Sequence, residues 1–211
     1  MDYKSFKNKF YNLPLIFSRD VVRAEKDKQA LRNQLNRWQR GGLIIALKRG
    51  VYVLNEDDRK ITPSQQYIAN QLYAPSYVSL EYALSFYGLI PEGVFAVTSV
   101  TSRKTARFEN RLGEFVYQHV KTEAFRGFRM VTDESGLSFF IGEPEKVIVD
   151  FLYLNLKRFG KDAKELFRFS FRFQNLEDLK RSKIMAFSNL FKNKKLTRVS
   201  REFCDFLKEE L

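Results

Sequence analysis

Apolar residues along the N-terminal part of the chain recur at helical spacing, and residues that cannot continue a helix punctuate them. Phe6, Phe10 and Leu13 fall at i, i+4 and i+7 and are followed by Pro14, which predicts a first helix. Ser18 is a good N-cap for a short second helix, Arg19 to Ala24, with Val21 and Val22 turned inward. Beyond a charged turn of Glu25, Lys26 and Asp27, a third helix reaches Arg40, with Leu31, Leu35 and Trp38 on one stripe and Gly41–Gly42 as its stop. Two β-prone runs follow, Leu43 to Lys48 and Val51 to Leu54, joined at Arg49–Gly50, where glycine supplies the positive φ of a tight hairpin.

Three helices and a basic-tipped hairpin, in that order, predict a winged helix-turn-helix. At 100° per residue, the side of the third helix opposite Leu31, Leu35 and Trp38 carries Gln29, Asn33, Asn36, Arg37 and Arg40, flanked by Lys28 and Arg32. All are hydrogen-bond donors. Amides match the adenine edge and guanidinium groups match guanine or phosphate, so this face suits a major groove, with Lys48 and Arg49 at the hairpin tip reaching backbone. A three-helix unit devoted to protein contacts is the competing reading, but it does not need the local excess of positive charge.

An acidic loop, Glu56-Asp57-Asp58, ends this unit, so residues 1–58 are expected to form the DNA-binding domain and residues 59–211 an α+β domain. In the second domain Thr62–Pro63 starts a helix to Leu72, Ser79 caps another from Leu80 to Tyr87, and Pro144 opens a strongly apolar helix through Leu156. Phe95–Val100, Gly113–His119, Gly127–Val131 and Leu137–Ile141 read as strands of a small, mainly antiparallel sheet with helices on one side. Phe167, Phe169, Phe171 and Phe173 alternate with Arg168, Ser170, Arg172 and Gln174, which predicts a further strand with its phenylalanines in the core rather than stacked on single-stranded nucleic acid. Helices from Asn175 to about Phe191 and from Thr197 onward, the latter with Val199, Phe203, Phe206 and Leu207 inward, complete the expected fold.

Charge sharpens the picture because it is unevenly spread. Residues 1–54 hold 12 Lys and Arg against 4 Asp and Glu, residues 55–156 hold 10 against 13, and residues 157–201 hold 14 against 4. Two basic zones around an acidic middle make nucleic acid the first partner to consider, with solvated surface charge as the plain alternative. Within the middle, Arg103, Lys104 and Arg107 cluster in an expected loop, open to three readings: solvated charge, a second phosphate contact, or a partner-binding loop.

Candidate chemistry is sparse. One histidine, His119, and one cysteine, Cys204, lie far apart in sequence, no set of zinc ligands is present, and no glycine-rich phosphate loop precedes a helix. No enzyme activity, metal or cofactor is therefore expected. Glu143, Glu145 and Lys146 could form a nuclease-like cluster, but they also make an ordinary helix start. The single cysteine and the absence of an apolar leader or membrane span lead us to expect a cytoplasmic protein.

GGLIIALKRGVYVL, together with Tyr77-Val78-Ser79-Leu80-Glu81, Gly88-Leu89-Ile90-Pro91, Thr98 to Thr105, and Pro144-Glu145-Lys146 leading to Asp150, resembles the AbiEi antitoxin group of bacterial defence regulators over nearly the whole chain. The resemblance implies repression of the protein's own operon through the N-terminal unit and neutralisation of a nucleotidyltransferase-type toxin through the rest. A stand-alone regulator without a toxin is the alternative, and self-association on two half-sites of double-stranded DNA is left open.

Overall fold

The computed structural model describes residues 1–22, 28–160 and 163–210. Asp2 caps α1 (Tyr3–Phe10), its carboxylate accepting the Ser5 N–H at 2.8 Å. The helix stops short of Leu13, which is exposed rather than inward, because Pro14 drives the residue before it out of the helical region. Between Pro14 and Ser18 lies a short strand, β1 (Ile16–Phe17), and α2 (Ser18–Val22) follows directly. The predicted end of that helix at Ala24, the turn Glu25-Lys26-Asp27, and the side chains of Val22 and Lys28 lie outside the described residues.

α3 (Lys28–Arg40) ends as predicted: Gly42 has φ +74° and Leu43 N–H reaches back to the Trp38 carbonyl at 2.9 Å. β2 (Ile44–Lys48) and β3 (Val51–Leu54) form the hairpin, with Gly50 at φ +83°, and β1 adds to β3 to give a three-stranded antiparallel sheet.

Both faces of this small sheet are covered. Ile16, Ile44, Tyr52 and Leu54 pack with Phe6, Phe10, Leu31, Leu35 and Trp38 in one core, whereas Phe17, Ile45, Val51 and Val53 join the larger core of the rest of the chain. Register and pleat explain the split: Ile44 opposes Leu54 on one face and Ile45 opposes Val53 on the other. The near-continuous apolar run of these strands is thus the pattern of a doubly buried sheet.

The remaining elements are α4 (Gln65–Leu72), β4 (Ser76–Val78), α5 (Leu80–Phe86), β5 (Val97–Thr101), β6 (Ala106–Asn110), β7 (Gly113–His119), β8 (Phe128–Thr132), β9 (Ser138–Gly142), α6 (Pro144–Leu154), α7 (Arg181–Leu190) and α8 (Lys194–Glu210). Six strands make one sheet in the order β6-β7-β5-β4-β9-β8. It is mixed rather than mainly antiparallel, since β5 pairs with β7, and β4 with β9, in parallel. Helices flank both faces rather than one. Tyr77 lies on the opposite face from Tyr117, whose partner Ser99 adjoins Tyr77's partner Val100, and the two hydroxyls reach α6 and α4 respectively.

The phenylalanine run is not a strand. Leu166–Ser170 is a π-helical turn in which Phe171 N–H bonds the Leu166 carbonyl at 2.8 Å, so Phe167 and Phe171 share a buried side and Phe169 is 72% exposed. Phe173 is buried as well, so three of the four rings are core. The inward stripe of α8, with Val199, Phe203, Phe206 and Leu207, is buried as expected. Among the described residues no helix is long and apolar enough to cross a membrane.

At the centre of the larger core, Lys146 pairs with Asp150 one helical turn away, and both are fully enclosed. The other Asp150 oxygen accepts from the Tyr77 hydroxyl at 2.7 Å and the Ser79 hydroxyl at 3.0 Å. Burial pushes the Asp150 carboxyl up and the Lys146 ammonium down, each opposed by the other's charge. Removing one partner leaves an uncompensated buried charge. Lys146→Ala is therefore expected to destabilise the fold by about 3–5 kcal/mol, whereas the double change Lys146→Met with Asp150→Leu costs less. Urea unfolding followed by circular dichroism checks this, and a single variant as stable as the parent would contradict it.

Candidate nucleic-acid interface

The direction in which α3 faces is set by its apolar stripe. Leu31, Leu35 and Trp38 are buried, with the Trp38 ring 4.8 Å from Phe6 and 5.6 Å from Tyr3. Tyr3 and Lys7 then clamp α1 to the loop after β3. The Tyr3 hydroxyl donates to Asp58 at 2.6 Å and Lys7 pairs with the same carboxylate, which these partners hold below the usual carboxylate range. One residue of the acidic loop thereby fastens the first helix.

On the opposite side of α3, Gln29, Arg32, Asn33, Asn36, Arg37 and Arg40 are all exposed. Gln29 contacts the Asn33 side-chain oxygen at 3.4 Å along the face. Arg32, Arg37 and Arg40 make no ion pair among the described residues, and α3 contains no acidic residue. Lys28 opens the helix, its side chain lying outside the description. A row of amides and guanidinium groups without carboxylates can donate to base edges and phosphates together.

Lys48 does not belong to this face. The register of β2 against β3 shifts between Ala46 and Lys48, a bulge that turns the Lys48 ammonium back onto the Leu72 carbonyl, 5.6 Å above the Phe108 ring. Burial, with a smaller contribution from Arg103, lowers its pKa. Arg49 alone keeps an exposed cation at the hairpin turn.

The expected loop at Arg103, Lys104 and Arg107 is only partly a loop. Arg107 sits in edge strand β6 and pairs with Glu114 on β7 at 3.0 Å. Arg103 donates to the Ala74 carbonyl at 3.1 Å and stacks 4.6 Å over Tyr73, whose hydroxyl holds the Lys104 carbonyl at 3.0 Å. The segment carries charge beside the back of the hairpin, and Arg107 is already neutralised.

A concavity of about 380 Å³ opens between the end of α3, strand β2 and the β6–β7 turn, with Arg40 and Arg111 among its lining residues. Nothing local in the sequence marks Arg111; only the packing of β6 beside β2 brings it near α3.

Each of the remaining candidate residues has a local partner or is buried. Glu145 and Lys146 are buried, Glu145 accepting the Lys180 N–H at 3.2 Å, and the half-exposed Glu143 pairs with Lys183. His119 rests on the Arg103 carbonyl at 2.9 Å, and Cys204 is buried in α8 with its thiol pKa raised by burial. No group of three or more His, Cys, Asp or Glu among the described residues is placed to hold a metal ion. Compared with known proteins, the chain matches no family model and no curated protein.

These placements separate Lys48 from Arg49. Lys48→Ala should lower the melting temperature but change duplex affinity less than Arg49→Ala does. Thermal unfolding and fluorescence anisotropy on the two variants check the split, and the reverse ranking would return Lys48 to the interface.

Proposed function

We propose that this chain is a double-stranded-DNA-binding transcriptional repressor whose residues 1–58 act as a winged helix. In this reading α3 lies in the major groove, Arg32, Arg37 and Arg40 reach guanine edges or phosphates, and the amides of Gln29, Asn33 and Asn36 read adenine. Arg49 at the hairpin turn touches the adjacent backbone. The observation that carries the proposal is the exposed, carboxylate-free outer face of α3, held outward by the buried stripe behind it. The basic N-terminal zone adds the counterion-release term that draws such a face to a polyanion.

The resemblance to AbiEi antitoxins extends the proposal to the second part of the chain, residues 59–211, as the segment that neutralises a nucleotidyltransferase-type toxin. Two of the segments carrying that resemblance, around Tyr77–Ser79 and Lys146–Asp150, meet in the buried network at its centre, which supports their role as determinants of a common fold. An enzyme reading has no comparable support, because Glu145 and Lys146, two of the three side chains of the nuclease-like cluster, are buried.

Arg32→Ala and Arg37→Ala should each weaken binding to the DNA upstream of the protein's own gene by about 1–3 kcal/mol. Mobility-shift titration reads this directly. Affinity unchanged in both variants would remove α3 from the interface. The double variant should lose repression of a reporter yet keep any protection against the toxin, since Arg32 and Arg37 lie outside residues 59–211.

A further inference from the structure

The β6–β7 hairpin belongs to the larger sheet, yet its turn stands beside the C-terminal end of α3. Three side-chain hydrogen bonds fix that turn. Asn110 accepts the Leu112 N–H at 2.8 Å, the Asn110 amide donates across to the Leu47 carbonyl of β2 at 3.1 Å, and Gln65 at the start of α4 donates to the Leu112 carbonyl at 2.7 Å. A turn bound to β2 on one side and to α4 on the other has little freedom left, and the residue between Asn110 and Leu112 is an exposed cation, Arg111.

Arg111 shares the concavity with Arg40, and neither makes an ion pair among the described residues. The neighbouring arginine of the same hairpin, Arg107, is by contrast neutralised by Glu114. Glu109 also lines the cleft, and no ion pair joins it to either guanidinium group. Two guanidinium groups without ion pairs on one concavity favour an anion there, and a DNA phosphate is the anion the outer face of α3 would bring.

We propose that the β6–β7 hairpin is a second wing, with Arg111 contacting the DNA backbone beside the phosphate reached by Arg40, so that both parts of the chain hold one duplex. This rests on the reading of α3 as the DNA-facing helix. Because the turn is already fixed by Asn110 and Gln65, the contact needs no ordering of the loop on binding.

The test is fluorescence anisotropy of the full chain with a labelled mixed-sequence duplex over a salt series. Wild type is compared with Arg111→Ala, Arg111→Lys, Arg37→Ala and Glu109→Gln. Arg111→Ala is expected to weaken binding several-fold and to make the slope of log affinity against log salt shallower by about 0.9, the loss of one phosphate contact. Arg111→Lys should keep the slope, and Glu109→Gln should tighten binding by removing a carboxylate from the cleft. Unchanged affinity and slope in Arg111→Ala, alongside weakened binding in Arg37→Ala, would overturn the second wing and leave the α3 reading intact. Wild-type binding absent, or indifferent to salt, would overturn both. Unaltered circular dichroism of Arg111→Ala is expected, and a loss of folded signal with affinity rescued in Arg111→Lys at reduced slope would assign Arg111 to structure and count against the proposal.

Discussion

The small sheet of β1, β2 and β3 is buried on both faces, and that double burial is the constraint on which the rest of the molecule depends. On one side Ile44 and Leu54 hold the core under α1 and α3; on the other Ile45 and Val53 enter the main core. A hairpin with one face in water could pivot against the second part of the chain. Here any such rotation exposes apolar surface, at a cost of roughly 25 cal/mol per Å². The orientation of α3 relative to the large sheet follows from this arrangement, and with it the position of the β6–β7 turn beside Arg40.

Polar contacts fix what apolar burial leaves adjustable. Lys48 on the Leu72 carbonyl and Asn110 on the Leu47 carbonyl tie the hairpin to α4 and β6, and the clamp of Tyr3 and Lys7 on Asp58 fastens α1. Farther in, the Lys146–Asp150 pair joins α6 to β4 through Tyr77 and Ser79. A buried pair of this kind adds little net stability over an apolar one, but its hydrogen bonds are satisfied in one arrangement of helix and strand.

Much of this was legible in the sequence where a local cause acts. Gly41–Gly42 ends α3, Gly50 turns the hairpin, and the Leu31, Leu35, Trp38 stripe sets the exposed side of α3, whereas α1 stops at Phe10, short of the predicted Leu13. Features decided by distant partners were not legible. Lys48 lies at the end of an apparent wing, and only the bulge and the Leu72 carbonyl explain its inward turn. The strand at Ala106–Asn110 hides among cations because its edge position tolerates them, and the short strand at Ser76–Val78 is too brief for alternation to reveal. The phenylalanines from Phe167 to Phe173 show how period two misleads: a wide π-turn also brings alternate rings near one side, and Phe169 is the residue that distinguishes the two geometries.

In the proposed function a duplex lies against the outer face of α3. Hydrogen exchange of the full chain, followed by mass spectrometry with and without the DNA upstream of its own gene, locates the bound surface directly. Added protection is expected in peptides covering α3 and the Arg49 turn, and none along β8 and β9. Protection confined to the basic C-terminal helices, with α3 exchanging as in the free protein, would contradict it.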